Sequence, residues 1–379
     1  MVNLFGLKNP AWRYLRNKIT PTFTPGKLKR MLPLMMETGK PMMSYLKENN
    51  VYNNEEGVVI DAQDVNYKYT ADLIANVAIG IKTDSFKYPD SEYSKCLIDF
   101  FYSLKRMIAL VTVFFMPELV EMFGSTMLFN VSCIRKIFWS TVKSREESGE
   151  KRGDFIDTII DLKNGAQNPL YKFEGNNLWY QSGTFFSGFE SSGSASAFTL
   201  MELAKNKDYQ NGARADITKA ITKYGWTIEA FNDMKYLDKC IAECLRMYPS
   251  ISTIDRYALK DYKIPNTDIV IEKGTPIYIS LYGLHGDPQH FHEPEVFNPE
   301  RFSDARTVSA AYIPFGAGPR KCIGMKSGQL HIKAVISMIL SEYQVHQDCS
   351  EINELDSRST FTAAADGINL KFTRLKSSS

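Results

Sequence analysis

The sequence predicts a mainly α-helical chain carrying small β-sheets. Three observations predict it. Apolar residues recur at helical spacing through the first two thirds, short β-type runs replace them after Pro249, and a last helical pattern opens beside a glycine-bounded cysteine loop. With 379 residues, 44% of them hydrophobic, 23% charged and 12% aromatic, the composition is that of a globular protein and excludes a disordered one. No repeat, low-complexity tract or long Gly/Ser/Pro-rich linker divides the chain, so residues 1–379 read as one domain.

Element by element, Tyr67 to Ile81 has helical apolar spacing and stops around Gly80, and Phe155 to Leu162 does the same before Asn164-Gly165. Asn176 to Asn206 is a longer helix with a Gly/Ser-rich centre, and Phe231 to Tyr248 is another, closed by Pro249. Tyr262 to Ile264, Ile269 to Ile271 and Ile277 to Leu281 read as strands, separated by the turn signals Pro265-Asn266 and Lys273-Gly274. A His- and Pro-rich loop follows from Gly283 to Phe302. A last helix spans Cys322 to about Tyr343, and a hairpin over Phe361 to Leu375 turns at Asp366-Gly367.

The formal charge of +2 gives no reason to expect nucleic acid as a partner. Its distribution is uneven: no acidic residue precedes Glu37, whereas Lys8, Arg13, Arg16, Lys18, Lys27, Lys29 and Arg30 are all basic. Six sparse cysteines without a CxxC pair argue against a disulfide framework or structural zinc and fit a reducing compartment. The most apolar run, Met107 to Met116, falls well short of the roughly 20 residues that a membrane-spanning helix needs, so no anchor is read in this chain.

The chemistry concentrates at Phe315-Gly316-Ala317-Gly318-Pro319-Arg320-Lys321-Cys322-Ile323-Gly324. A cysteine that ligates haem iron must be a shielded thiolate, and a loop entering a helix N-terminus supplies amide donors and the positive end of the helix dipole. Gly318 and Gly324 let the backbone turn tightly against a porphyrin face, Arg320 reaches a propionate, and Phe315 packs beside the sulfur. A lone cysteine is more often a small buried hydrophobe, but its neighbours here outweigh that reading. A phosphate-cradling loop needs Gly-Lys-Ser/Thr, whereas Gly324 is followed by Met325-Lys326-Ser327.

These residues resemble the signature of the cytochrome P-450 superfamily, Phe-x-x-Gly-x-Arg-x-Cys-x-Gly. All five fixed positions are present as Phe315, Gly318, Arg320, Cys322 and Gly324. The resemblance covers essentially the whole chain and is similar in character to the insect microsomal, xenobiotic-metabolising branch. It implies a haem-thiolate fold and monooxygenation of a lipophilic xenobiotic or steroid-like lipid. It also implies haem b held by Cys322, dioxygen as co-substrate, and electrons from NADPH through a flavoprotein reductase. The acidic reductase would dock near Lys321, Lys326 and the basic first helix. Full-length members associate with the cytosolic face of the endoplasmic reticulum membrane. Relative to the family, the chain reads as lacking the N-terminal anchor, first strands and first helices. That leaves the strands Ile269 to Ile271 and Ile277 to Leu281 short of partners and a pocket that retains haem poorly.

The resemblance also assigns residues. Trp12, Arg16 and Arg256 join Arg320 at the haem propionates, and Glu243 and Arg246 form a buried structural triad with Arg301 of Pro299-Glu300-Arg301-Phe302. Without it, Glu243 and Arg246 would read as a solvated helix face. Glu190 and Ser191 fall in the oxygen-activating segment as proton-relay groups, where Gly188 loosens the helix into a bulge. Ser191 stands where threonine is usual, Ser187 where Ala or Gly is, Gly286 where a basic residue is and Ser327 where an aromatic is. Substrate contacts are implied at Phe185, Phe186, Gly188, Ile251, Ile254 and Phe361, with Phe114 and Phe115 as further wall residues. Two alternatives remain at this level: an inactive haem-binding fragment or pseudoenzyme, and a haem-thiolate isomerase or dehydratase independent of a reductase.

Overall fold

A computed structural model describes residues 4–50, 57–102, 108, 112, 132–304, 308–347, 354–357, 359 and 361–376. The helices are α1 (Ala11–Ile19), α2 (Pro25–Asn50), α3 (Ala62–Ile74), α4 (Glu92–Tyr102), α5 (Ser132–Ser148), α6 (Phe155–Asn164), α7 (Asn176–Lys205), α8 (Lys207–Tyr224), α9 (Ile228–Asp233), α10 (Lys235–Met247), α11 (Leu281–His285) and α12 (Met325–Glu342). The strands are β1 (Val58–Asp61), β2 (Thr253–Tyr257), β3 (Tyr262–Lys263), β4 (Val270–Ile271), β5 (Pro276–Ser280), β6 (Tyr343–Gln347) and β7 (Asn369–Arg374). The mainly helical class with small antiparallel sheets is the observed one.

The 30-residue α7 is the central element, packing on α3, α10 and α12. Its approach to α3 requires a missing side chain: a Cβ on Gly193 would lie 2.5 Å from Tyr67 Cδ1. One apolar core gathers α2, α3, the C-terminal half of α7, α10 and α12, and a second gathers α1, α4, α5, α6 and the start of α7. In α12 the buried residues run from Ser327 to Leu340 around most of its circumference, as in a helix enclosed by protein.

Several elements differ from expectation for local reasons. The helix expected from Tyr67 starts earlier, because the Asp61 side chain accepts from the Gln63 N–H, and it passes through a π-helical turn at Ala75–Ile79 before Gly80 closes it at φ 76°. Phe231 to Tyr248 is two helices rather than one. The chain breaks at Met234 and restarts because Asp216 Oδ2 accepts from the Tyr236 and Leu237 N–H groups at 2.7 and 3.1 Å. The last helix begins at Met325, three residues after Cys322. α2 continues through Pro33 and Pro41, residues that normally interrupt a helix.

The sheets also depart from the sequence reading. The expected hairpin at Phe361 to Leu375 is absent. Instead β7 is the middle strand between β1 and β6, and the Asp366-Gly367 turn presents Ile368 N–H to Asp61 at 2.9 Å. β2, not anticipated, pairs with β5, and β3 pairs with β4, each in a two-stranded ladder among the described residues. One cysteine pair also went unread: Cys96 of α4 and Cys133 of α5 are disulfide-bonded, with Cα atoms 5.9 Å apart. Their separation of 37 residues carried no motif, and the packing of α4 on α5 brings them together. Among the described residues, no helix is long and apolar enough to cross a membrane.

Candidate active site

The loop ahead of α12 is fixed by its own backbone. The Cys322 N–H donates to the Phe315 carbonyl at 2.9 Å, Lys321 N–H to Gly318 O at 3.0 Å and Gly316 N–H to Ile313 O at 2.8 Å. Gly316 and Gly318 both adopt φ 73°, in the left-handed region that favours glycine. Gly324, expected to turn tightly as well, has φ −87° and caps α12, where an added Cβ would meet only Phe23 at 3.8 Å. Gly316 was not anticipated, and its neighbours are Ile254 Cδ1 and Arg256 Nη2. The Phe315 side chain packs on the larger apolar core.

The Cys322 side chain is exposed, yet protein crowds it closely enough that burial pushes the thiol pKa up. The thiol is crowded by protein yet open to solvent, and that accessibility is what a ligand would exploit. The Gly324 N–H, Arg16 and Lys321 act in the opposite sense and favour the thiolate.

Three guanidinium groups converge on this loop. Arg16 Nη2 donates to Lys321 O at 2.9 Å, Arg256 Nη2 to Ala317 O at 3.4 Å, and Arg320 stacks over the Trp12 ring at 4.5 Å while donating to Leu7 O at 2.7 Å. None of the three forms a salt bridge to a carboxylate among the described residues. Desolvation lowers the pKa of Arg16 and of Arg320 and Arg256 adds repulsion on Arg320, while Cys322 acts in the opposite sense on Arg16 and Asp255 on Arg320. A cluster of partly desolvated cations beside an accessible cysteine fits a ligand that brings carboxylates and a thiolate-seeking metal.

Behind the loop, Glu243 and Arg246 are fully buried and joined by two hydrogen bonds of 2.8 Å. Arg301 Nε and the Asn298 N–H donate to the same carboxylate at 3.1 and 3.0 Å, and Arg246 Nη1 donates to His285 O at 3.0 Å. His285 carries this cluster to the cysteine segment. Its Nδ1 lies 3.2 Å from Arg246 O, which can only accept, and its Nε2 accepts from Ile313 N–H at 3.1 Å. Both bonds exist only in the neutral Nδ1–H tautomer. His285 was assigned no role from the sequence, although it opens His285-Gly286-Asp287-Pro288, the segment in which Gly286 stands where a basic residue is usual.

Burial brings the pKa of His285 down to about 4, and that of His331 on α12 down to about 4. An unfolded imidazole titrates near 6.5, so between these values the unfolded chain takes up protons that the folded chain refuses. Stability from the neutral rings is therefore complete above pH 6.5 and is lost as the pH falls toward 4. Urea titrations at stepped pH are expected to show a loss on the order of 3 kcal/mol from His285 alone, and His285→Asn should flatten that slope. A flat profile in the unchanged chain would refute this.

On α7, Glu190 is buried and the Ser191 hydroxyl donates to Gly188 O at 3.5 Å. The expected bulge at Gly188 is not present: α7 runs through it without interruption, and the π-helical turn lies instead at Ala75–Ile79, against which α7 packs. Ile254 pairs with Ile279 across β2 and β5, and Ile251 forms an isolated antiparallel bridge with Phe361. Phe114, Phe115 and the side chains of Phe185 and Phe186 lie outside the described residues.

The family profile that describes cytochrome P450 matches residues 2–372. The chain belongs to the cytochrome P450 family. It is 36% identical to cytochrome P450 6k1 of Blattella germanica, over 98% of this chain and 76% of that protein. It is 34% identical to probable cytochrome P450 6g2 of Drosophila melanogaster, with the same two coverages. Against cytochrome P450 6d3 of Musca domestica it is 32% identical over 90% of this chain and 72% of the relative. Insect cytochrome P450 proteins are thus among its relatives. Membership makes the chain an oxidoreductase of the monooxygenase type, and the family uses haem with thiolate ligation, a redox partner and dioxygen.

Proposed function

We propose that this cytochrome P450 inserts one atom of dioxygen into a lipophilic xenobiotic or endogenous lipid, using NADPH electrons delivered by a flavoprotein reductase, with Cys322 as the iron ligand. The supporting observation is the set of Arg16, Arg256 and Arg320 near the accessible Cys322, three cations that form no salt bridge among the described residues. In this reading Cys322 supplies the thiolate, and Trp12 and the three arginines bind the propionates, with Phe315, Gly318 and Gly324 shaping the loop. Bound haem supplies the oxygen chemistry, which thiolate ligation favours by donating electron density.

The protein residues then have separable tasks. The Gly324 N–H, Arg16 and Lys321 favour negative charge on Cys322 Sγ, acting against the burial that raises its pKa without cancelling it. Glu190 and the Ser191 hydroxyl, on α7, would relay protons, and serine keeps the donor while losing the rotamer restriction of threonine. Gly188, Ile251, Ile254 and Phe361 form an apolar wall that orients substrate and excludes water. Glu243, Arg246 and Arg301 hold the scaffold. Lys321, Lys326 and the basic α1 offer an acidic reductase a docking face, on the cytosolic side of the endoplasmic reticulum membrane.

The test is the absorption spectrum of the reduced, carbon-monoxide-bound chain reconstituted with excess haem. A thiolate-type Soret band is expected, together with substrate oxidation that needs both NADPH and reductase. A histidine- or thiol-type band at every haem concentration would overturn the reading.

A further inference from the structure

Thr362 has every polar function engaged with a different part of the chain. Its N–H donates to Ser250 O at 3.1 Å, and its carbonyl accepts from Ser194 Oγ of α7 at 2.5 Å. Its hydroxyl donates to the Pro249 carbonyl, which fixes the direction of the remaining contact: at 2.8 Å, Tyr282 Oη must donate to Thr362 Oγ1. Thr362 and Ser194 are both buried, so none of these bonds can be exchanged for water without cost.

The elements joined here are those with assigned roles in the pocket. Phe361, adjacent to Thr362, bridges Ile251, and Ser250 Oγ donates to Ser191 O at 3.3 Å. Ser194 stands four residues after Glu190 and three after Ser191, hence on the same face of α7. On the far side of the segment, the Gln63 amide bonds both the N–H and the carbonyl of Ala364. The segment carrying Phe361 reaches α7 through side chains, not through a β-ladder, so the Ser194 bond sets how far the Phe361 wall stands from the Glu190–Ser191 turn.

We propose that Thr362, with Ser194 and Tyr282, is a positioning residue for substrate selectivity: the latch fixes the depth of the pocket between α7 and the Phe361 segment. The inference rests on the proposed roles of Glu190, Ser191 and Phe361. Its test measures the depth directly. N-butylimidazole and N-octylimidazole both ligate haem iron through nitrogen and differ in reach, and their dissociation constants are read from the Soret shift of the full chain with haem in excess. In Thr362→Val and Ser194→Ala the ratio of the two constants is expected to change roughly threefold or more, the scale of one neutral hydrogen bond. Thr362→Ser should restore the parent ratio. Variants that keep both the thiolate-type band and the parent ratio overturn the latch. If Thr362→Val loses its band, Ser194→Ala decides, since it leaves the Thr362 hydroxyl bonds in place. Absence of any Soret shift in the parent chain refutes the haem reading itself, a result distinct from an unchanged ratio.

Discussion

Cys322→Ser is expected to abolish the thiolate-type carbon monoxide band and all NADPH-driven turnover while leaving the folded state intact. The Cys322 contact that shapes the loop is made by its N–H to Phe315 O, which serine retains, and its side chain is exposed, so the exchange leaves no cavity. A serine hydroxyl ionises far too weakly to replace a thiolate whose charge Gly324 N–H, Arg16 and Lys321 favour. The remaining free cysteines among the described residues are poor substitutes. Cys240 and Cys244 are buried on α10, and desolvation pushes both thiols far up. The measurements are the reduced carbon monoxide spectrum, product formation and the thermal midpoint of the variant beside the parent. A thiolate-type band surviving the substitution would remove Cys322 from its proposed role.

The second large effect is on stability. Glu243→Ala is expected to cost about 3–5 kcal/mol, because it strands a charge inside the protein rather than merely deleting contacts. Arg246 is 1% exposed and would keep only backbone carbonyl hydrogen bonds, notably to His285 O, and the face of Phe291. The Asn298 N–H would lose its acceptor, freeing the segment that carries Arg301. Arg301→Ala should cost less, since Arg301 is the more exposed partner and Glu243 keeps both bonds to Arg246. Urea denaturation of both variants ranks them, and a loss below about 1 kcal/mol for Glu243→Ala would mean that the chain relaxes to hydrate Arg246.

The sequence was legible where chemistry is written locally. The cysteine loop is ten contiguous residues, and long helices such as α7 show their period directly. It was silent where an interaction depends on distant partners. The break at Met234 is decided by Asp216 on another helix, and the position of β7 by β1 and β6. Cys96 and Cys133 meet only because their helices pack. Glu243 read alone is a surface residue, and the resemblance alone suggested its burial; the three-dimensional contacts supply the reason, a carboxylate fully used by two arginines and a backbone amide. Gly193 and Gly316 were passed over because a glycine's need for space is invisible until its neighbours are placed.

The middle position of β7 bears on the order of folding. Its two ladders join Val58–Asp61 to Tyr343–Gln347, and the Asp61 carboxylate that starts α3 also receives the N–H of Ile368, 307 residues further on. During synthesis β1 therefore has no ladder partner until Asn369–Arg374 has emerged. This wide loop closure leaves that strand open to mispairing in a newly made chain.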